Sequence, residues 1–420
     1  MMGGEYRPRV VDAEVQRLLA ALGAVVIEGP RACGKTWTAT NAASSRLDVD
    51  VDPTVPVAME TDPTLLLRGA TPRLLDEWQS EPSLWNLVRR EVDARQSVGQ
   101  FILTGSATPT PEATMHSGAG RFGWVRMRPM SGWESGDSTG EVSLRDLFAQ
   151  ADVAAAPDGR GVADAARLVV RGGWPETVAL SSDDAAMFAA SHLRAVAEVD
   201  LSQFTGRRRD PVRVRRLLRS LARAESSEAS VRALTADVGQ GGDQSVARTT
   251  VTDYLAGLQQ AMVVEDQPAW STALRSRATL RSTPVRHLAD PSLAAAALGA
   301  SAERLVTDVE TLGLLFEALV VRDLRVYAQA IGGTVYHFRD SNGHEIDAII
   351  ELADGAWGAC EIKLGARAVD KAADSLAKAV SQIDTRVVGQ PAFLAVITGS
   401  GLTVRRSDGV YVVPIGVLKP

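Results

Sequence analysis

The sequence predicts an α/β protein in three parts, and three features of its 420 residues carry that expectation. A short apolar run, Ala24–Glu28, leads into Gly29-Pro30-Arg31-Ala32-Cys33-Gly34-Lys35-Thr36 and then a helix-compatible stretch. An arginine-dense segment of helical periodicity lies in the middle, over 207–223. Near the end, a long helical run precedes three strand-like runs that carry Asp347, Glu361 and Lys363. The expected boundaries are 1–150, 165–280 and 281–420, in keeping with roughly 150 residues per domain.

Composition excludes several classes. Acidic residues outnumber basic ones 51 to 45, a formal net charge of −6. A hydrophobic fraction of 45% and a charged fraction of 23% are ordinary for globular chains and argue against wholesale disorder. Arg, Asp or Glu interrupts every apolar stretch before the ~18 residues of a membrane span. Residues 1–9 lack the apolar core of a signal peptide. Two cysteines exclude a disulfide scaffold, and Cys33 and Cys360 are expected to pack as small apolar groups. A cytoplasmic protein without a membrane partner is the expectation. Only Lys35, Lys363, Lys371, Lys378 and Lys419 are lysines in a chain that otherwise uses arginine. A surviving lysine hints that the ammonium itself is wanted.

The glycine-rich octapeptide fits the P-loop pattern G-x-x-x-x-G-K-[ST] between a strand and a helix. Gly29 and Gly34 let the backbone wrap phosphates with its N–H groups facing the anion. The candidate nucleotide-binding residues are Gly29, Pro30, Arg31, Ala32, Cys33, Gly34, Lys35 and Thr36. Lys35 would reach the β- and γ-phosphates of ATP, and Thr36 would place its hydroxyl on Mg²⁺. Arg73-Leu74-Leu75-Asp76-Glu77 supplies an acidic strand end. Asp76 would hold the Mg²⁺ shell and Glu77 would orient or deprotonate the attacking water. A helix-entry cap is the plainer use of such a pair. A third strand near 100–104 ends in Gly105-Ser106-Ala107. Ser106, with Thr104 second, would stand beside the γ-phosphate, and an ordinary turn is the alternative. Arg121 is the candidate transition-state arginine, acting in its own subunit or in a neighbour of a homo-oligomer. A surface arginine is the alternative reading.

Gly-Pro-Arg through Gly-Lys-Thr, then Leu-Leu-Asp-Glu-Trp-Gln, Phe-Ile-Leu-Thr-Gly-Ser-Ala and Gly-Arg together resemble a large family of prokaryotic AAA-type P-loop ATPases. In that family the ATPase core precedes a C-terminal domain of unknown function. The resemblance implies ATP binding and hydrolysis and supplies no further substrate. The residue after the Asp-Glu pair is ordinarily aliphatic there. Here it is Trp78, a change expected to touch packing more than chemistry.

Residues 152–164 are rich in Ala, Asp, Gly and Pro and read as a linker or a surface crossing. Arg171-Gly172-Gly173-Trp174-Pro175 resembles a signature at the start of that family's second domain. Physically it makes a rigid turn anchored by an aromatic, with no chemistry of its own. Helical spacing is expected over 211–224, 229–237 and 247–263, followed by Met262-Val263-Val264-Glu265. Three short helices and a strand resemble a winged helix, whose third helix would enter a major groove. Arg207, Arg208, Arg209, Arg213, Arg215, Arg216, Arg219 and Arg223 are opposed within that stretch only by Asp210. The stripe suits DNA phosphates, or a solvated helix face that pairs with acids of the ATPase domain.

In the last part, Glu317 lies on a helical run, 311–327, with uncharged residues three and four positions away. A carboxylate there is costly unless paired or bound to metal. Strands are expected at 334–339, 345–351 and 357–364. A three-residue loop Ala353-Asp354-Gly355 would set Asp347 opposite Glu361, whereas a two-residue Asp-Gly loop would put them on opposite faces. A helix Glu, a strand Asp and Glu-x-Lys resemble the restriction-endonuclease-like fold. The residues carried over are Glu317, Asp347, Glu361 and Lys363. Two carboxylates would bind Mg²⁺ and Lys363 would stabilise the attacking hydroxide or the phosphorane. An ion pair in an inert fold is the alternative, and His344 is given no role. Three functions follow: an ATPase whose cycle drives DNA-associated C-terminal modules, an ATP-switched protein-interaction scaffold with an inactive nuclease-like domain, or a stand-alone nuclease with a vestigial P-loop.

Overall fold

The computed structural model describes residues 6–105, 118–201, 209–239, 246–271 and 283–420. They form two compact units, Met1–Arg128 with Gln260–Met262, and Pro129–Gln259 with Val263–Pro420.

In the first unit, short strands, apolar at the centre and polar at the edge, pair into one parallel sheet. The strands are β1 (Ala24–Glu28), β2 (Ser45–Asp48), β3 (Arg73–Asp76), β4 (Phe101–Gly105) and β5 (Phe122–Arg126), in the order β2-β3-β4-β1-β5. Every pair is parallel, so all carboxyl ends lie on one edge. β4 sits between β1 and β3, which separates the phosphate loop from the acidic strand end by one strand. Helix α1 (Asp12–Ala21) precedes β1, and helix α2 (Lys35–Ala42) follows the loop. Trp78 is 1% exposed and packs 5.3 Å from Trp85, which stacks on Phe122 at 4.2 Å. The unusual aromatic after the acidic pair is thus a core residue.

The second unit is helical first and then mixed. Its opening segment is held by a buried polar knot. The Arg322 guanidinium donates to Asp290 at 2.8 Å and to Asp323 at 2.7 Å. Asp290 accepts the Gly173 N–H, and Asp323 accepts the Gly132 N–H. Trp174 is fully buried and donates its indole N–H to Ser292. A Cβ on Gly173 would lie 2.1 Å from the Met130 carbonyl oxygen, so the Gly-Gly-Trp turn needs glycine there. The segment read as a linker over 152–164 ends sooner, because the helix Val162–Arg171 starts inside it, with Asp164 accepting the Gly161 N–H.

Three helices follow, Pro211–Arg223, Val231–Gly239 and Arg248–Gln260. Val214, Leu217, Leu218 and Leu221 form the buried face of the first. The chain then makes antiparallel bridges, Val264 with Leu288 and Gln267 with Val285, and Arg286 bridges back to Ser227.

The last region is a six-stranded sheet. After the two-residue β6 (Val142–Ser143) come β7 (Gly333–Arg339), β8 (Glu345–Leu352), β9 (Trp357–Lys363), β10 (Phe393–Thr398), β11 (Val404–Arg405) and β12 (Tyr411–Pro414), ordered β11-β12-β10-β9-β8-β7. β7, β8 and β9 are antiparallel neighbours, and β10 runs parallel to β9 and β12. A terminal β13 (Leu418–Lys419) pairs with β6. The long helix Val309–Ala330 and the amphipathic helix Val369–Ser381 pack against the sheet. No helix among the described residues is long and apolar enough to cross a membrane.

Candidate functional sites

The phosphate loop leaves β1 at its carboxyl end, and its backbone geometry follows from its residues. Ala32 and Gly34 both have positive φ, 62° and 101°. A Cβ on Gly29 would meet the Met127 carbonyl oxygen at 2.3 Å, so the loop's first position closes against β5's end only as glycine. Lys35 is 5% exposed and donates to the Gly29 and Pro30 carbonyls, each at 3.0 Å. A second cation holds the loop from outside. Arg9 is buried and donates to the carbonyls of Cys33 and Arg128, each at 2.7 Å. An arginine so near the N-terminus has no pattern that marks this role.

The acidic strand end meets the loop through hydroxyls. Thr36 donates to Asp76 Oδ1 at 3.0 Å, and Thr104 at the end of β4 donates to the same oxygen. Thr104 also accepts the Glu77 N–H at 3.3 Å. Glu77 has φ 53°, a left-handed backbone that non-glycine residues adopt at a cost, and its carboxylate accepts from Gln79. The Thr36 hydroxyl and the Asp76 carboxylate form a hard-oxygen donor pair, which fits Mg²⁺. Arg46, which nothing in the sequence had singled out, donates to Asp76 Oδ2 at 2.9 Å.

Two further candidates stand differently. Ser106 lies outside the described residues. Arg121 precedes β5, level with Ala24, and pairs with Asp93 at 2.5 Å. The phosphate loop leaves β1 at Glu28, so about 13 Å of strand separates the two ends at ~3.3 Å per residue. Within its own chain Arg121 therefore does not join the phosphate site, which removes the same-subunit reading.

The second unit gathers the other four candidates. The loop between β8 and β9 is the three-residue one, with Leu352 bonded to Ala356 and Gly355 at φ 87°. Pairs run from Glu351–Trp357 to Ala348–Cys360, and one further step in that register faces Asp347 with Glu361. Lys363 Nζ lies 2.9 Å from Glu361 and 3.5 Å from Asp347. The Ile362 N–H donates to Asp347 at 2.7 Å. Burial, then the charge of Asp347, raises the Glu317 carboxyl well above its ordinary value. Burial raises Asp347 against the pull of Lys363. Burial and Asp347 push Glu361 up to about 7. Lys363 is raised because Asp347 and Glu361 outweigh its burial. Among the described residues no three His, Cys, Asp or Glu side chains are grouped as a metal cage. Glu361 Oε2, however, is buried without a hydrogen-bond partner, which fits a single cation contact.

A buried polar chain supports this site. β7 and β8 shift register between Tyr336 and Phe338, a bulge at the level of Asp347. The Gln267 amide is fully buried and donates to the carbonyls of Tyr336 and Asp347, each at 2.9 Å. Its Oε1 meets His287 Nε2 at 3.0 Å, and His287 Nδ1 meets Glu225 at 3.2 Å. Glu225 accepts the Leu288 N–H. Burial raises Glu225 and lowers His287, so both tend to stay neutral.

Four of the six described arginines of the stripe are paired within the second unit, and the partners are not acids of the first unit. Arg213 meets Asp210, Arg215 meets Glu198, Arg223 meets Asp237 and Arg209 meets Asp253. Arg207 and Arg208 lie outside the described residues.

Residues 22–135 match the family model of an AAA domain. The matched stretch spans the phosphate loop, Asp76, Glu77 and Thr104, and Arg9 lies before it. Residues 162–304 match a domain of unknown function (DUF8612), and residues 312–418 match another (DUF4143). Together they describe an AAA-type ATPase-like protein with C-terminal domains of unknown function. Uncharacterized proteins of Mycobacterium tuberculosis and Mycobacterium bovis are each 28% identical over 355 residues, 83% of this chain and 72% of the relative.

Proposed function

We propose that the chain is a Mg²⁺-dependent ATPase whose nucleotide cycle acts on C-terminal modules that engage DNA, organised as an ATPase core at 1–150, a winged-helix-like region at 165–280 and a restriction-endonuclease-like domain at 281–420. The observation that carries the ATPase reading is the Thr36–Asp76 hydrogen bond at 3.0 Å, made across the sheet edge from which the phosphate loop emerges. The amides of residues 29–34 would bind the phosphates, and Lys35 would leave two backbone carbonyls for phosphate oxygens. Mg²⁺, when bound, supplies neutralisation of phosphate charge. Thr36 and Asp76 would hold it. Glu77 would take a proton from water, and Thr104 fixes the Glu77 backbone while bonded to Asp76. Ser106 stays a candidate beside the γ-phosphate, and Arg121 a candidate only for a neighbouring subunit of a homo-oligomer. The three helices and antiparallel bridges support the winged-helix reading. The Glu317–Asp347–Glu361–Lys363 cluster and the orphan Glu361 oxygen support a Mg²⁺-binding nuclease-like site.

The test is ATP turnover with and without Mg²⁺ and DNA, for wild type and Lys35→Ala. Turnover that needs Mg²⁺, rises with DNA and vanishes in the variant is expected. A specific observation favours the second reading, an ATP-switched protein scaffold. Four of the six described arginines of the stripe are engaged by local acids, and Lys363 is held by two carboxylates. Turnover indifferent to DNA would select it.

A further inference from the structure

We propose that Arg46 is a two-seat switch that competes with the divalent cation for Asp76 and so sets how strongly nucleotide binding depends on that cation. The proposal rests on the ATP reading and concerns regulation of the same site.

Arg46 projects from β2, at the edge of the sheet, and divides its guanidinium among three partners. Nη2 donates to Asp76 Oδ2 at 2.9 Å, Nε to Asp48 at 2.5 Å and Nη1 to Thr40 at 3.2 Å. Asp76 is buried, and its other oxygen already accepts from Thr36 and Thr104. A cation drawn to Asp76 therefore meets a carboxylate that a permanent cation already holds. Guanidinium cannot lose its charge at any ordinary pH, so the conflict is relieved only by movement. Two positive centres on one buried carboxylate repel, and the carboxylate's attraction is divided between them.

The structure supplies a second seat. Asp48 already holds Nε, and Arg46 forms part of the wall of a cavity of about 470 Å³. Asp52, Thr54 and Thr61 also line it. A guanidinium that leaves Asp76 has room, a carboxylate it already touches and a second one nearby. A guanidinium released from Asp76 would stay on Asp48 and turn toward this cavity, and a cation bound by Asp76 would bias the side chain toward that second arrangement. Lys35 does not share this position, because its partners are neutral carbonyls.

The experiment measures the affinity of the full chain for ADP by calorimetry, with Mg²⁺ and with a chelator. The ratio of the two affinities is the readout. Arg46→Gln should raise that ratio about five-fold, the weight of one half-exposed ion pair. Asp48→Asn removes the alternative seat, keeps the guanidinium on Asp76 and should lower the ratio. Opposite shifts are what competition requires, and loosening of the sheet edge would move both variants the same way. An unchanged ratio in Arg46→Gln, or shifts of the same sign, overturns the proposal. If Arg46→Gln does not fold, the sign of the Asp48→Asn shift decides alone. Wild type that binds no ADP in either condition overturns the ATP reading and this inference together.

Discussion

The phosphate-loop site and the acidic site hold their charges in opposite ways. In the first, each charged group has a hydrogen-bond partner: Lys35 the loop carbonyls, Asp76 two hydroxyls and Arg46 from other elements, and Glu77 its near neighbour Gln79. In the second, Glu317, Asp347 and Glu361 gather around Lys363, and one carboxylate oxygen stays unsatisfied. A site whose charges are already balanced takes a ligand that brings its own counter-charge, such as a nucleotide with its metal. A site with surplus negative charge gains from a bare cation or a proton. The two differ in what stabilises them before any ligand arrives.

The largest effect that tests this contrast is Lys35→Ala. It should reduce ADP affinity at least about 100-fold, the weight of a charge-assisted phosphate contact, and leave the acidic site's pH behaviour untouched. Calorimetry and pH-dependent melting of the same variant check both halves.

Gln267→Leu comes next. It leaves the Tyr336 and Asp347 carbonyls and His287 without their buried partner, a cost of about 2–3 kcal/mol by the usual penalty for stranded polar groups. Faster hydrogen exchange confined to β7 and β8 would locate the damage. Exchange unchanged there would show that the bulge does not depend on Gln267.

Glu361→Gln should have a smaller and pH-dependent effect. Burial and Asp347 hold the Glu361 carboxyl near 7 in the folded chain, above its ordinary value in the unfolded one. The folded state therefore binds the extra proton between about pH 4.5 and 7, and stability falls as pH rises through that window. Glutamine cannot ionise, so the variant should melt a few degrees above wild type at pH 8 and level with it below about pH 4.5. Mg²⁺ should narrow the gap at pH 8 by stabilising wild type. A gap that is constant with pH would remove surplus charge as the explanation.

The smallest effect concerns the stripe. Arg216 and Arg219 are the arginines of the helix Pro211–Arg223 without an acidic partner among the described residues. If that helix meets DNA phosphates, the double change to Ala should lower the slope of log affinity against log salt by about 2. An unchanged slope would leave the stripe as a solvated, ion-paired face.

What the sequence made legible was local. β1 occupies the run read as a strand, and the loop's glycines sit where backbone conformation and close approach demand them. The register of β8 and β9 followed from a three-residue loop, because loop length and side-chain parity are both short-range. What stayed hidden acts across long separations. Arg46 reaches a carboxylate 30 positions away, and Gln267 supports Asp347 from 80 positions away. Neither belongs to a pattern with a spacing. Arg121 shows the converse: Gly-Arg after a third strand reads as catalytic until the parallel sheet puts it at the wrong end. The helix start at Val162 was masked by Ala, Asp and Gly, which suit both linkers and first turns.

The Arg322 knot bears on how this molecule can be cut. Gly132 and Trp133 lie within the stretch matched by the AAA domain, yet their N–H groups bond Asp323 and Tyr327. Ser138 donates to the Leu418 carbonyl, and β6 pairs with β13. A fragment that begins at 162 would strip Asp323 of a donor and β13 of its neighbour. One that begins at 129 keeps every one of these bonds, so a cut that respects them falls between Arg128 and Pro129, seven residues before the AAA match ends, and leaves Gln260–Met262 of the first unit on the later piece.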